Sequence, residues 1–314
     1  MPAFHVSANT HIERSVEDVR DTILNFNTWP SWSPWLLLEP EAAVSYYGEL
    51  STVGHGYQWE GTKVGSGGMA WTHIDATDLT AQLNFLKPFK SEATVGFKLS
   101  EESGGTKVEW LMDSSLPFFL FFMVRTMKNM ITLDYTRGLA LLKDYLEGGS
   151  VPLEMKAMGV VEVKPLHYLG INKQTTIDAI GSSMNTALNE VSEKIQALDI
   201  TPAGPVLSVY HTMNLRTGRC DYTAAIAVNI EDGEPERKLA ESLKPGTINE
   251  GRAYKVVYTG PYRHLGNAWA LAMSDIRHLK MKPSKSQKPF ELYINDPATT
   301  AENELITEVY VPVR

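Results

Sequence analysis

One carboxylate stands in the middle of an otherwise apolar and aromatic segment, KPFELYINDP at residues 288 to 297. Alternation along a strand would send Phe290 and Leu292 into a core and turn Glu291 and Tyr293 toward water. That is the simplest interpretation, because glutamate is rarely buried unless another group pairs with its charge. The alternative is that Glu291 is the acid of a binding site, and the elements around it have to decide between the two.

Residues 156 to 314 contain a weak internal repeat, and each copy is predicted to run strand, helix, strand, strand. The helices of the two copies are expected over residues 177–198 and 264–279. Two such units pair into one antiparallel sheet with both helices on one face, which leaves a cleft along the pseudo-twofold axis. The middle strands would form the floor of that cleft.

Alignment of the two copies places the acid at this symmetric centre. Ser208 falls opposite Glu291, and Tyr210 matches Tyr293. By the same symmetry, Tyr168 and Tyr210 are expected to line the opposite wall of the cleft. Because one copy carries an acid where the other carries only a serine, the asymmetry favours a functional site at Glu291.

The same half of the chain resembles a known family. The segments YTGPYRHLGNAW, FELYINDP and ELITEVYVPV, in that order, are similar to those of GyrI-like, or AraC-type effector-binding, domains. The resemblance covers residues 156 to 314 and implies a pocket for small, often aromatic or cationic molecules, with Glu291 as its central acid. The rings of Tyr262, Trp269 and Tyr293 would add cation–π attraction. Two alternatives stay open: Tyr262 merely staples the start of the helix, and Trp269 faces the sheet instead of the cleft.

The N-terminal half predicts a different α+β arrangement, with one strand, a helix near residues 16–26, many short antiparallel strands and a long closing helix. The segments FNTWPSWSPW, YYGELSTVGHGYQWEG, LKPFKSEATVGFKL and GGTKVEW resemble the polyketide-cyclase and lipid-transport branch of the START-type (SRPBCC) superfamily. That resemblance covers residues 1 to 149 and implies a helix-grip fold around a cavity for lipids, polyketides or other apolar molecules. Trp29, Trp32 and Trp35 either fill the core or line that cavity.

A short linker separates the two halves. In LEGGSVPLE, residues 146–154, two glycines and a proline follow a long helical pattern, which is the expected signal for the end of a helix. We therefore expect a helix-grip domain at residues 1–149 and a GyrI-like domain at residues 156–314.

Composition excludes several classes of protein. The 314-residue chain has a formal net charge of -8 and shows no basic recognition helix, which argues against direct binding of nucleic acid. A single cysteine, Cys220, permits neither an internal disulfide nor a thiolate zinc cage, and the histidines lack metal-binding spacing. We expect no metal and no cofactor. The N-terminus lacks the pattern of a secretory signal, so a cytoplasmic location is expected.

The longest apolar run, LPFFLFFMV at residues 116–124, is too short to span a bilayer. It is interpreted as a buried strand end or the start of a helix. No membrane insertion is expected.

These observations favour a small-molecule binding protein that holds a hydrophobic or cationic aromatic ligand in the C-terminal cleft. A lipid-like ligand is a further candidate for the N-terminal cavity. The first alternative is a hydrolase, because some members of the resembled family hydrolyse strained electrophiles; Glu291 would then be the general base. The second is a ligand-responsive regulator that acts through an unidentified protein partner.

Overall fold

The computed structural model describes residues 3–229 and 243–314. The chain divides into two compact units, one ending at Pro152 and the other beginning at Leu153. Each unit combines one antiparallel sheet with a few helices, which confirms the predicted α+β class. Among the described residues, no helix has both the length and the apolar character needed to cross a bilayer.

The first unit is a seven-stranded antiparallel sheet followed by a long helix. Its strands are β1 (Ala3–Ile12), β2 (Ala43–Tyr47), β3 (Gly56–Glu60), β4 (Ser66–Ile74), β5 (Asp78–Lys87), β6 (Ser91–Glu102) and β7 (Gly105–Ser115). Its helices are α1 (Val16–Leu24), α2 (Trp29–Trp32) and α3 (Val124–Gly148). The strands pair in the order β1-β7-β6-β5-β4-β3-β2.

Local sequence signals set the ends of these helices. The Ser15 side chain accepts a hydrogen bond from the backbone N–H of Asp18 and so caps the start of α1. Gly149 ends α3 in the left-handed conformation, with φ of 77°, which glycine adopts without steric cost. The helix stop predicted from the linker is therefore confirmed.

Aromatic rings fill the space between the sheet and the C-terminal half of α3. Trp110 stacks on Tyr135 of α3 with ring centroids 4.2 Å apart, and Trp29 packs on Trp32 at 4.5 Å. Trp35 meets Trp110 edge-on at 5.8 Å. The structure thus places the three tryptophans of FNTWPSWSPW in packing contacts within the grip.

The apolar run at residues 116–124 begins a helix, as expected, but it is not buried. A 3-10 turn, Phe118–Met123, leads directly into α3, and its four phenylalanines are 61–78% exposed. The expectation of burial is wrong because β7 ends at Ser115, so the run projects beyond the last paired residue of the sheet.

The second unit is an eight-stranded antiparallel sheet with two helices. Its strands are β8 (Glu154–Val163), β9 (Leu166–Thr176), β10 (Pro202–Asn214), β11 (Arg219–Val228), β12 (Lys244–Ile248), β13 (Gly251–Thr259), β14 (Phe290–Tyr293) and β15 (Ile306–Pro312). Its helices are α4 (Ile180–Ala197) and α5 (Gly266–His278). The strands pair in the order β12-β9-β11-β10-β14-β15-β13-β8.

The strand order is symmetric about its middle, which confirms the predicted repeat. One copy is β9, α4, β10 and β11, and the other is β13, α5, β14 and β15. The middle strands β10 and β14 lie side by side. Pro165, which has no N–H to donate to a strand ladder, lies in the short connection between β8 and β9.

Both faces of this second sheet carry buried side chains. On one face, Met184 and Val191 of α4 pack with Tyr210 and Tyr222 of the sheet. On the other face, a second cluster of buried residues surrounds Phe290. Alternation along the middle strands therefore does not separate a buried side from a solvent side.

Candidate functional site

Glu291 lies at the pseudo-twofold centre of the second sheet. In the antiparallel pair of β10 and β14, Ser208 is the direct register partner of Glu291. These two residues are also equivalent in the sequence repeat, so the pseudo-twofold axis passes between them. The predicted position of the acid opposite a serine is confirmed.

The carboxylate of Glu291 is buried, with 1% of the residue exposed. Alternation does send Glu291 to the face opposite Phe290, which stacks on Tyr310 at 4.6 Å on the other side of the sheet. The interpretation of Glu291 as a solvent-facing residue is nevertheless wrong, because α4 and α5 cover its face. Leu292 and Tyr293 are only half-buried.

Three neutral groups donate hydrogen bonds to the Glu291 carboxylate. The indole N–H of Trp269, on α5, donates to Oε1. The hydroxyls of Tyr210 and Tyr293 both donate to Oε2, at 2.8 and 2.7 Å. In the part of the chain that the structure describes, no positively charged side chain bonds to this carboxylate. The site therefore solvates an anion without neutralising it.

The electrostatics of the site follow from this arrangement. Burial raises the pKa of Glu291 above its ordinary value, while the hydrogen bonds from Tyr293, Trp269 and Tyr210 act in the opposite direction. Burial and the nearby Glu291 charge together raise the pKa of both Tyr210 and Tyr293. Both phenols thus remain protonated donors over the physiological range.

Ser208 extends the network to α4. Its hydroxyl lies 3.0 Å from the Tyr293 hydroxyl and 2.9 Å from the sulfur of Met184, and Ser208 is fully buried. Sequence analysis did not single out Met184, because a methionine at helical spacing is indistinguishable from core. The only available signal was its place on the helix that the repeat sets over the central strands.

Aromatic rings flank the carboxylate on two sides. Tyr210 and Trp269 meet edge-on with centroids 5.1 Å apart, and Tyr262 meets Tyr293 edge-on at 5.6 Å. Tyr262 is 37% exposed and begins the short 3-10 turn before α5. Tyr262 is therefore the most exposed of the four rings at the site.

Comparison with known proteins identifies two families along the chain. The profile of the family described as GyrI-like small molecule binding domain matches residues 157–314. The chain belongs to this family. A second profile, polyketide cyclase / dehydrase and lipid transport, matches residues 3–147. The predicted fusion of the two domains is therefore confirmed, and small-molecule binding is the property that both profiles describe in general terms.

Several solved structures resemble parts of the chain. EcmrR in a complex with DNA is 17% identical, with 62% of this chain and 69% of that chain covered and a TM-score of 0.42. SAV2435 bound to tetraphenylphosphonium is 16% identical, with 51% and 94% covered and a TM-score of 0.40. The Aha1 dimer from Colwellia psychrerythraea is 17% identical, with 46% and 98% covered and a TM-score of 0.35. The comparison with curated proteins found no match.

Five of the six site residues predicted from sequence meet in the GyrI-like domain: Glu291, Tyr293, Tyr262, Trp269 and Tyr210. Tyr168 does not join them. It packs on the opposite face of the sheet with Leu207 and Val209, so its expected place on the cleft wall is corrected. The physical reason is that successive side chains of β9 point to opposite faces of the sheet, so the adjacent Leu169 faces α4 instead. A shift of one residue in the alignment of the two copies therefore assigns Tyr168 to the wrong face.

A small cavity of about 110 Å³ lies beside Tyr168, on the face of the GyrI-like sheet that is turned away from Glu291. His211 and Lys288 are among its polar lining residues. No cluster of histidine, cysteine, aspartate or glutamate within the described ranges is arranged to hold a metal ion. Because the cavity and Glu291 lie on opposite faces of the sheet, they are separate features of the domain.

Proposed function

We propose that the GyrI-like domain binds a hydrophobic cation against Glu291. The observation that carries the proposal is a carboxylate with 1% exposure whose three hydrogen-bond donors are two phenols and an indole. A buried carboxylate is costly when its charge is not balanced. A ligand that supplies a positive charge recovers part of that cost, and a neutral ligand of the same shape does not.

The rings around the carboxylate favour the same class of ligand. Tyr210, Trp269, Tyr262 and Tyr293 present four aromatic groups within one site. Each aromatic face that meets a cation adds about 0.5 to 2 kcal/mol of attraction, most when water is excluded. A flat or bulky aromatic cation therefore gains from both the charge and the apolar surface.

Access to the carboxylate runs past Tyr262. This residue is the exposed member of the ring pair with Tyr293, whereas Glu291 itself is closed to solvent. Rotation of the Tyr262 and Tyr293 rings would open a path while Trp269 and Tyr210 keep the carboxylate in place. The ligand would then replace the edge-on ring contact with contacts of its own.

The test is a comparison of two ligands of equal shape and different charge, 1-methylquinolinium and 1-methylnaphthalene, by titration calorimetry with the full chain. The cation is expected to bind at least about tenfold more tightly, which corresponds to about 1.4 kcal/mol. Tyr262→Ala, which removes the exposed ring, should lower the affinity for the cation. Equal affinities for the two ligands would contradict the proposal.

Hydrolysis is a second candidate, favoured by the raised pKa of Glu291 and by the two tyrosine hydroxyls beside it. In that reaction Glu291 takes a proton from water while the water oxygen bonds to a carbon of an epoxide. The carbon–oxygen bond of the strained ring breaks, and a tyrosine hydroxyl protonates the leaving oxygen. Return of the proton from Glu291 to the tyrosine completes the formation of a diol.

A panel of epoxides and cyclopropanoids, followed by mass spectrometry, tests this candidate. General-base assistance contributes about 10² to 10⁴ in rate, so Glu291→Gln should lower turnover by at least that lower factor while the protein stays folded. Turnover that is unchanged in the Gln variant would remove Glu291 from the reaction. No turnover by the wild type would leave the domain as a binder.

For the first domain we propose an apolar ligand at the N-terminal half of α3. Met127, Met130 and Ile131 are half-buried there, whereas Leu139 and Leu142 in the other half are buried in the aromatic core. Apolar side chains that are left partly uncovered inside a grip offer contact surface to a lipid-like molecule. Native mass spectrometry of the freshly purified protein should show a copurified mass that the separate first domain also retains.

A further inference from the structure

Aromatic side chains are concentrated on two segments of the first domain that solvent reaches. The four phenylalanines of the 3-10 turn before α3 are 61–78% exposed, and Phe89, between β5 and β6, is 81% exposed. The four rings of the turn alone present on the order of 500 Å² of apolar surface. Phe121 is in ring contact with both Phe118 and Phe122, each at a centroid distance of 6.1 Å. An apolar surface of this size is within the range of the largest patches on monomeric proteins, which are often functional.

The two segments project from the same end of the sheet. Ala93 of β6 pairs with Ser114 of β7 in an antiparallel register. The chain that precedes Ala93 and the chain that follows Ser114 therefore leave the sheet at one common end. We call residues 86–90 and 118–123 together the apolar tip.

Three exposed cations lie on or directly after the segments of the apolar tip. Lys90, Arg125 and Lys128 are exposed, and within residues 3–229 and 243–314 none of them forms an ion pair. Glu92 is the nearest acid along the hairpin and is also exposed. This local excess of cations stands on a chain whose formal net charge is -8. A twofold contact between two copies would bring the same cations together, so the charge pattern disfavours self-association.

We propose that the apolar tip docks onto the surface of an anionic lipid bilayer. Aromatic rings flanked by lysine and arginine are the combination that lies in a membrane interface, with rings at the headgroup boundary and cations beside anionic headgroups. No part of the chain crosses the bilayer in this arrangement. Docking would also bring the half-buried Met127 and Met130 of α3 close to the acyl chains.

Flotation of the full chain with phosphatidylcholine vesicles, with and without phosphatidylglycerol, tests the proposal. The wild type is expected to float with the anionic vesicles and to bind severalfold more weakly at high salt, because salt screens exposed charges. The double variant Phe119→Ser and Phe122→Ser should lower the partition coefficient about 100-fold, since two exposed rings lose their apolar contacts.

Two further variants make the result specific. Phe89→Ser changes the other segment of the apolar tip without touching α3, and it should weaken binding as well. Val53→Ser removes a side chain that is 60% exposed just before β3. Glu60, at the other end of β3, pairs with Ser66, and Ser66 pairs with Lys87 of the apolar tip. Val53 precedes β3 and therefore lies at the opposite end of the sheet, so the Val53 variant should float like the wild type.

The proposal is overturned if the wild type fails to float with anionic vesicles, or if the double variant floats as well as the wild type does. Light scattering of the same proteins without vesicles is a further test, because it measures their oligomeric state. A wild-type dimer that the double variant converts to a monomer would show that a second copy of the chain covers the apolar tip, and would also overturn membrane docking.

Discussion

Replacement of Glu291 by glutamine separates charge from shape at the proposed ligand site. The amide of glutamine has nearly the same volume, and it can accept from the Trp269 indole and donate to the oxygens of Tyr210 and Tyr293. Because Glu291 is 1% exposed, its pairing with a ligand cation belongs to the buried class. Loss of one partner of a buried pair costs about 3 to 5 kcal/mol, whereas an exposed pair contributes about 0 to 1 kcal/mol.

The expected result is a selective loss of affinity for the cation. Glu291→Gln should weaken binding of 1-methylquinolinium by about 3 kcal/mol or more and change binding of 1-methylnaphthalene by less than about 1 kcal/mol. Titration calorimetry on both proteins with both ligands measures the four affinities. Their double difference isolates the contribution of the charge from that of the apolar contacts.

A matched substitution on the same sheet controls for general effects. Glu308 pairs in register with Leu292, so it faces the side opposite Glu291. It bonds with Lys255 at 2.7 Å and with the Tyr310 hydroxyl at 2.6 Å. Glu308→Gln should leave both affinities unchanged. Near-ultraviolet circular dichroism establishes that each variant is folded, and equal losses for the charged and neutral ligands in Glu291→Gln would refute the reasoning.

Three other predictions follow from the same structure. Because burial raises the pKa of Glu291 above its ordinary value of 4.5, the affinity for the cation should fall as the pH drops through that raised pKa, and binding there should release a proton. Calorimetry in buffers of different ionisation enthalpy measures both effects, and an affinity that stays constant down to pH 4.5 would contradict the prediction. Burial acts to raise the pKa of Glu39, but hydrogen bonds from Thr62 and the backbone of residues 62–64 lower it to about 2. The contribution of ionised Glu39 to the stability of the folded domain is therefore complete above about pH 4.5 and is lost as the pH falls toward 2. In thermal melts at pH 7, Glu39→Gln should lower the free energy of unfolding by about 3 kcal/mol, and Glu41→Gln, an exposed control, should change it very little. A cut within residues 147–153 should give two pieces that each fold by circular dichroism, and two unfolded pieces would show that the domains depend on each other.

Sequence alone determined the organisation of this protein. The periods of the strands and helices and the left-handed glycine at the end of α3 are local properties of the sequence. Two successive family resemblances add the order of the domains, and the structure has the corresponding elements. The internal repeat also indicated that the two middle strands meet at a pseudo-twofold axis, where one residue pairs with its own equivalent from the other copy. Ser208 and Glu291 are such a pair.

Only the tertiary structure decided which side chains are buried and what they face. Alternation correctly separated Glu291 from Phe290, but a period of two does not tell whether a helix covers a given face, and α4 and α5 cover this one. The face of Tyr168 depended on a register that a weak repeat does not fix to one residue. The exposed phenylalanines before α3 carry the same local signal as a core segment. Their exposure follows from the end of β7 at Ser115, beyond which the sheet has no strand for them to pack on.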